Sequence, residues 1–140
     1  MELDELYQEI ILDHYRKPRN AARLTHVPEA RVHENPACGD SVKLEVTVSP
    51  DRVVDRVRFD GKGCAISTAS ASIMTEQARG RSVEEVKRLA RHFIGIMRGE
   101  QLPESLDQMG DLACLKGVVR FPVRVKCATL AWHALLETLP

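Results

Sequence analysis

At 140 residues the chain is long enough for one domain with a single sizeable core. Twenty basic residues balance twenty acidic ones, so bulk charge favours neither nucleic acid nor an anionic membrane. A hydrophobic fraction of 44% with 29% charged residues is that of a soluble globular protein, and no run approaches the roughly 20 apolar residues of a membrane span.

The opening Met1-Glu2-Leu3-Asp4-Glu5 is acidic and lacks the basic and apolar regions of a signal peptide. The expected compartment is the cytoplasm, where four cysteines read as reduced thiols or ligands. Leu3 to Tyr15 places Leu3, Leu6, Tyr7, Ile10, Ile11 and His14 at three- and four-residue steps. That spacing predicts an amphipathic helix, packed on the core or, alternatively, offered to a partner, and ended by Lys17-Pro18-Arg19-Asn20. Residues 20 to 35 read as irregular connection, punctuated by Pro28 and Asn35-Pro36.

Val42 to Val48 and Val53 to Phe59 alternate apolar with polar around the turn Ser49-Pro50-Asp51-Arg52, which predicts an antiparallel hairpin with one wet face. Gly61-Lys62-Gly63 then leads to Cys64. Small residues from Ala65 to Ser72 predict a close-packed helix from Cys64 to Arg79, stopped by Gly80. Ser82-Val83-Glu84-Glu85 is a capping box that opens a helix running to Gly99. Pro103 to Gly117 is looser, with a turn of helix near Leu106 and another near Leu112. A last amphipathic helix is expected from Ala128 to Leu139, just after Cys127. The chain contains no repeat, low-complexity tract or linker, so residues 1–140 are read as one domain.

The chemistry-bearing stretch is Asn35-Pro36-Ala37-Cys38-Gly39-Asp40, which puts a thiol and a carboxylate two residues apart. Cys64 and Cys127 each lie beside a predicted helix start. Cys38, Asp40, Cys64 and Cys127 make a four-ligand set suited to zinc or an iron–sulfur cluster. A carboxylate among thiolates is more exchangeable than a fourth cysteine, which argues against a closed structural shell. Lys62, Arg124 and Lys126 are close enough in sequence to offset the anionic ligands. Helix N-termini at Cys64 and Cys127 would lower their thiol pKa values. The spacing matches no zinc-finger pattern, and single cysteines are often small buried hydrophobes, so the residues alone leave both readings open. Cys114, in an apolar setting, is expected to be core filler. His14 is expected to pack, His92 and His133 to lie on helix surfaces or boundaries, and His33 is a reserve ligand. No Ser-His-Asp order, phosphate-cradling loop or CxxC motif is present.

Several stretches together resemble one family. They are Leu6-Tyr7, Ile11-Leu12-Asp13-His14-Tyr15, Pro18-Arg19-Asn20, Asn35-Pro36-x-Cys38-Gly39-Asp40, Gly61-x-Gly63-Cys64-Ala65-Ile66-Ser67 and Ala69-Ser70-Ala71-Ser72. The chain resembles the IscU/NifU N-terminal family of iron–sulfur cluster assembly proteins over essentially its whole length, with Cys127 at the family's third cysteine. Lys126 stands where the scaffold branch has a histidine, the scaffold's Leu-Pro-Pro-Val-Lys stretch is replaced by Phe121-Pro122-Val123-Arg124-Val125-Lys126, and extra length falls around Arg91 to Leu115. These departures resemble the zinc-binding SufU branch.

The resemblance implies an α+β fold: a small antiparallel sheet of about three strands, helices packed on one face, and the metal site at one exposed end. It implies a zinc held by Cys38, Asp40, Cys64 and Cys127 in a sulfur acceptor, or sulfurtransferase, that takes persulfide sulfur from a SufS-type cysteine desulfurase. A ligand exchange at the zinc would free the acceptor thiol. The resemblance favours Cys38 for that thiol over Cys127, and Arg124 is expected to assist the transfer. The alternative is a scaffold on which the same cysteines assemble a [2Fe–2S] cluster for recipient proteins. A second alternative is a structural zinc module.

Overall fold

The computed structural model describes residues 3–25, 31–36 and 39–140. In chain order these form α1 (Leu3–Arg16), β1 (His33–Asn35), β2 (Asp40–Val48), β3 (Val54–Lys62), α2 (Ala65–Ala78), α3 (Val83–Met97), two 3-10 segments (Pro103–Gln108 and Gly110–Arg120) and α4 (Pro122–Thr138). The strands make one antiparallel sheet in the order β1-β2-β3. The architecture is the expected α+β class.

The period-two pattern of β2 and β3 sets which face is dry. Val42, Leu44 and Val46 share one face with Val57 and Phe59, through the pairs Leu44↔Phe59 and Val46↔Val57. Val42, Leu44, Val57 and Phe59 are buried against the helices. On the other face Glu45 takes Arg58 at 2.5 Å and Arg56 at 3.5 Å. The core then continues through Ile73 and Met74 of α2, Phe93 of α3 and Trp132 of α4.

The small residues of α2 let it approach α4 closely. Ala69, Ser70, Ala71 and Ser72 are all buried. The Ser70 hydroxyl donates to the Ala128 carbonyl at 2.5 Å and accepts from Trp132 Nε1 at 3.1 Å, so a buried polar group is satisfied from both sides. At the start of α3, Ser82 Oγ accepts from the Glu85 backbone N–H at 3.1 Å, as the capping box predicts.

Two boundaries differ from the sequence reading. The connection before Cys38 contains a strand, β1, whose three residues are too few to show alternation. The last helix begins at Pro122 rather than after Cys127. The β-branched alternation of Val123 and Val125 looks extended, but Pro122 presets a helical φ at the first position, where its missing N–H costs nothing.

Candidate metal centre

Asp40 opens β2 and lies in step with Val42, Leu44 and Val46, so the pleat turns its carboxylate to the helix side of the sheet. It is 2% exposed. Its strand partner is Asn35, and Gly39, between them, takes φ +74 and donates its N–H to the Asn35 carbonyl at 2.9 Å. A glycine suits that left-handed position. Cys38, the remaining sequence-predicted ligand, lies outside the described residues.

Cys64 is the N-cap residue of α2, with φ −74 and ψ 173. Its carbonyl is held by the Ser67 hydroxyl at 3.0 Å and the Thr68 N–H at 3.1 Å. Its own N–H donates to Asp40 Oδ1 at 3.1 Å. The bond fixes the carboxylate beside the helix start, where the partial positive charge favours an anion. Gly63 makes room for this contact: a Cβ there would stand 2.8 Å from Asp40 Cγ and overlap both Asp40 Oδ1 and Ser67 Oγ.

Cys127 comes from the inner face of α4, 1% exposed, with its Sγ 3.8 Å from the Val123 carbonyl. It sits one and a half turns inside the helix. The sequence expectation of a helix start at both thiols therefore holds for the position of Cys64, the N-cap of α2, and not for that of Cys127. Lys62, Arg124 and Lys126 are exposed around the site.

One ligand atom each from Asp40, Cys64 and Cys127 lies within 4.8 Å of the others. Tetrahedral zinc with Zn–S of about 2.3 Å needs ligand atoms about 3.8 Å apart. The three donors therefore need to contract by no more than about 1 Å, and two thiols with one carboxylate are borderline-soft donors that suit zinc. The donor set fits the metal.

Cys64 is the half-buried member of the set. It opens into a groove of about 710 Å³ that also meets Tyr7 and Ile11 of α1, Cys114 of the second 3-10 segment, Phe121, and Arg124 of α4. Arg124 and the thiol of Cys64 thus border one cavity, which the sequence order conceals. Phe121 and Val123 beside it are exposed large hydrophobic residues.

The remaining sequence expectations resolve around this site. Cys114 is buried, and burial pushes its thiol up to about 12. His14 is buried and bonded to Ser72 and Asp111. His33 is placed 3.5 Å from Glu137 of α4 and is absent from the donor cluster. Desolvation lowers the pKa of both His33 and His133. Sequence reading missed the role of Gly63 and the groove itself. The Gly61-Lys62-Gly63 signal was visible, but only the fold shows which carboxylate fills the space.

The sequence matches the NifU-like N-terminal domain over residues 6–128. The chain belongs to that family. It is 41% identical over 133 residues to the zinc-dependent sulfurtransferase SufU of Bacillus subtilis, covering 95% of this chain and 88% of the relative. It is 39% identical over 137 residues to the iron–sulfur cluster assembly scaffold protein IscU of Streptococcus pyogenes, covering 98% and 84%. A solved structure of a SufU from Fervidobacterium islandicum AW-1, described as an assembly scaffold for the SUF system, aligns with a TM-score of 0.79 at 29% identity, covering 99% of this chain and 100% of that one. The NifU-like family to which the chain belongs thus includes SufU and IscU iron–sulfur cluster assembly proteins. The stretch around Arg91 to Leu115, where the resemblance led us to expect extra length, forms the end of α3, the first 3-10 segment and the start of the second.

Proposed function

We propose that the protein is a zinc-dependent sulfur acceptor of iron–sulfur cluster biogenesis, a single-domain cytoplasmic partner of a SufS-type cysteine desulfurase. The observation that carries this reading is the cluster of Asp40, Cys64 and Cys127 at the edge of an open groove. A purely structural site needs no groove beside a ligand thiol, whereas a donor protein must reach the sulfur.

Asp40, Cys64 and Cys127 would hold zinc with Cys38 as the fourth ligand. Zinc, when bound, supplies charge that keeps its thiols deprotonated at neutral pH. The residues do the rest. The Cys64 N–H orients the Asp40 carboxylate, which is the hard and most exchangeable donor of the set. Cys38 is the acceptor thiol. Its thiolate attacks the terminal sulfur of the desulfurase persulfide; a new S–S bond forms on Cys38, the enzyme's own S–S bond breaks, and the enzyme's cysteine leaves as a thiolate. Arg124, exposed on the first turn of α4, brings a permanent positive charge to the groove for the transferring sulfur anion.

The test is cysteine turnover by the desulfurase with and without the zinc-loaded protein, alongside Cys38→Ala and Arg124→Ala. Strong stimulation that disappears in Cys38→Ala, and falls in Arg124→Ala at unchanged zinc content, is the expected result. Absence of stimulation by the intact zinc form would refute the acceptor role. Unchanged zinc and unchanged sulfur uptake in Arg124→Ala would remove that residue from it.

A second reading, a scaffold that assembles a [2Fe–2S] cluster for recipient proteins, is favoured by the similarity to the Streptococcus pyogenes IscU. Anaerobic reconstitution separates the two readings: a scaffold retains a cluster with visible absorption and transfers it to an apo-acceptor.

A further inference from the structure

The groove beside Cys64 has two walls and a floor from three different parts of the chain. One wall is α1, through Tyr7 and Ile11. The other is the second 3-10 segment, through Cys114 and Val118, and the floor is the start of α2 at Cys64 to Ile66. One side chain of α1 bonds to both of the other parts. His14, near the end of α1 and 2% exposed, has Nδ1 2.7 Å from Ser72 Oγ of α2 and Nε2 2.9 Å from Asp111 Oδ2 of the second 3-10 segment.

The network sets the direction of these bonds. Ser72 Oγ already accepts the Arg19 backbone N–H at 2.8 Å, so its own hydrogen is free to point at Nδ1. Nε2 then carries the imidazole proton and donates it to the Asp111 carboxylate. Neighbouring residues brace the same junction: Arg19 pairs with Asp13 at 2.6 Å, and Asn20 Nδ2 donates to Thr75 Oγ1 of α2 at 2.9 Å. The Asp13-His14 and Arg19-Asn20 portions of the sequence motif are thus spent on docking α1, with none of them in the donor cluster.

We infer that His14 and Asp111 are positioning residues that set the width of the groove through which sulfur reaches the metal centre. The second 3-10 segment acts as the brace for α1. This rests on the proposed acceptor function for its consequence, but the geometry is testable without it. Ser72 lies eight residues along α2 from Cys64, about 12 Å at 1.5 Å per residue, so the pin acts on the walls and touches no reacting atom.

The test compares Asp111→Ala, Asp111→Asn and Asp107→Ala by amide hydrogen exchange. Asp111 is 53% exposed, so its replacement leaves the core packing intact. Asp107 pairs with Lys116 at 2.5 Å within the same stretch and serves as the control for a general weakening of the segment. In Asp111→Ala, exchange in residues 3–16 and 110–120 should accelerate about tenfold or more, as expected for the loss of about 1.4 kcal/mol of local protection. Asp111→Asn keeps an oxygen to accept the Nε2 proton and should stay near the parent, as should residues 3–16 in Asp107→Ala. The concentration of Asp111→Ala needed for half-maximal desulfurase stimulation should rise at least threefold, with little change in the maximum.

Unchanged exchange in residues 3–16 of Asp111→Ala would overturn the inference. So would an equal loss of protection across β2 and β3, which would make the contact an ordinary contribution to global stability. A parent protein that fails to stimulate desulfurase refutes the acceptor role and leaves the exchange result to judge the brace.

Discussion

Gly63→Ala isolates how the carboxylate is held, because it adds one methyl at the closest approach in the site. The φ of Gly63 lies outside the left-handed region, so alanine meets no backbone penalty there and the effect is one of space. A Cβ would stand 2.8 Å from Asp40 Cγ, nearer still to Asp40 Oδ1 and Ser67 Oγ. Forcing a methyl into a packed site costs about 1–3 kcal/mol. If the carboxylate swings away to relieve it, the Cys64 N–H loses a charged acceptor, worth about 1.5–3 kcal/mol. The two costs are alternatives, so the metal-free protein should lose about 2–3 kcal/mol in urea unfolding. Displacing a ligand should in addition weaken zinc at least as much as loss of a ligand's supporting contact, about 10–100-fold, measured by competition with a chromophoric chelator. Gly61→Ala is the companion: its Cβ would meet Ser41 O at 3.3 Å and the Phe59 ring at 3.4 Å, and Asp40 is not among its nearest contacts. It should keep parental zinc affinity. A Gly63→Ala protein with zinc affinity within threefold of the parent and an unchanged unfolding midpoint would refute the reasoning that Asp40 is packed into place as a ligand.

Two further outcomes follow from the buried groups around the site. The Cys114 thiol, pushed up to about 12 by desolvation and then by Asp111, stays protonated while the unfolded chain's thiol ionises near 9. Stability from this group is therefore complete below about pH 9 and is lost as pH rises toward 12; Cys114→Ala should flatten that fall in urea unfolding at pH 8 and 10.5. Trp132→Phe removes the Nε1 donor from buried Ser70 and part of the 4.9 Å ring contact with Phe93, and should cost about 1–3 kcal/mol without changing zinc content.

The elements that were legible in the sequence are those with strong local periodicity. The β2–β3 hairpin, the capped α3 and the small-residue α2 all occur where alternation, Ser82 and the Ala/Ser run place them. β1 was not legible, because a three-residue strand exists only through its pairing with β2. The start of α4 was hidden by valines that favour extended chain locally and lose to packing on α2. For the site, the residue types and the resemblance singled out Asp40, Cys64 and Cys127, and the fold brings them together. What the sequence did not disclose is angular: Cys127 projects from the body of a helix, Arg124 shares a cavity with a thiol 60 positions earlier (124 − 64), and His14 joins Ser72 to Asp111. Those relations depend on how helices pack, and periodicity carries no information about neighbours.

The donor cluster draws on residues 40, 64 and 127, with spacings of 24 (64 − 40) and 63 (127 − 64) positions. In a chain still emerging from the ribosome, the last of these thiols is made long after the one before it. Until α4 closes on α2, an ion meets isolated thiols scattered along a fluctuating polymer, whose joint grip is reduced by the entropy of closing each loop. Loading is thereby postponed until the third donor has been made and packed, and an occupied centre certifies that sheet, α2 and α4 have all arrived in register.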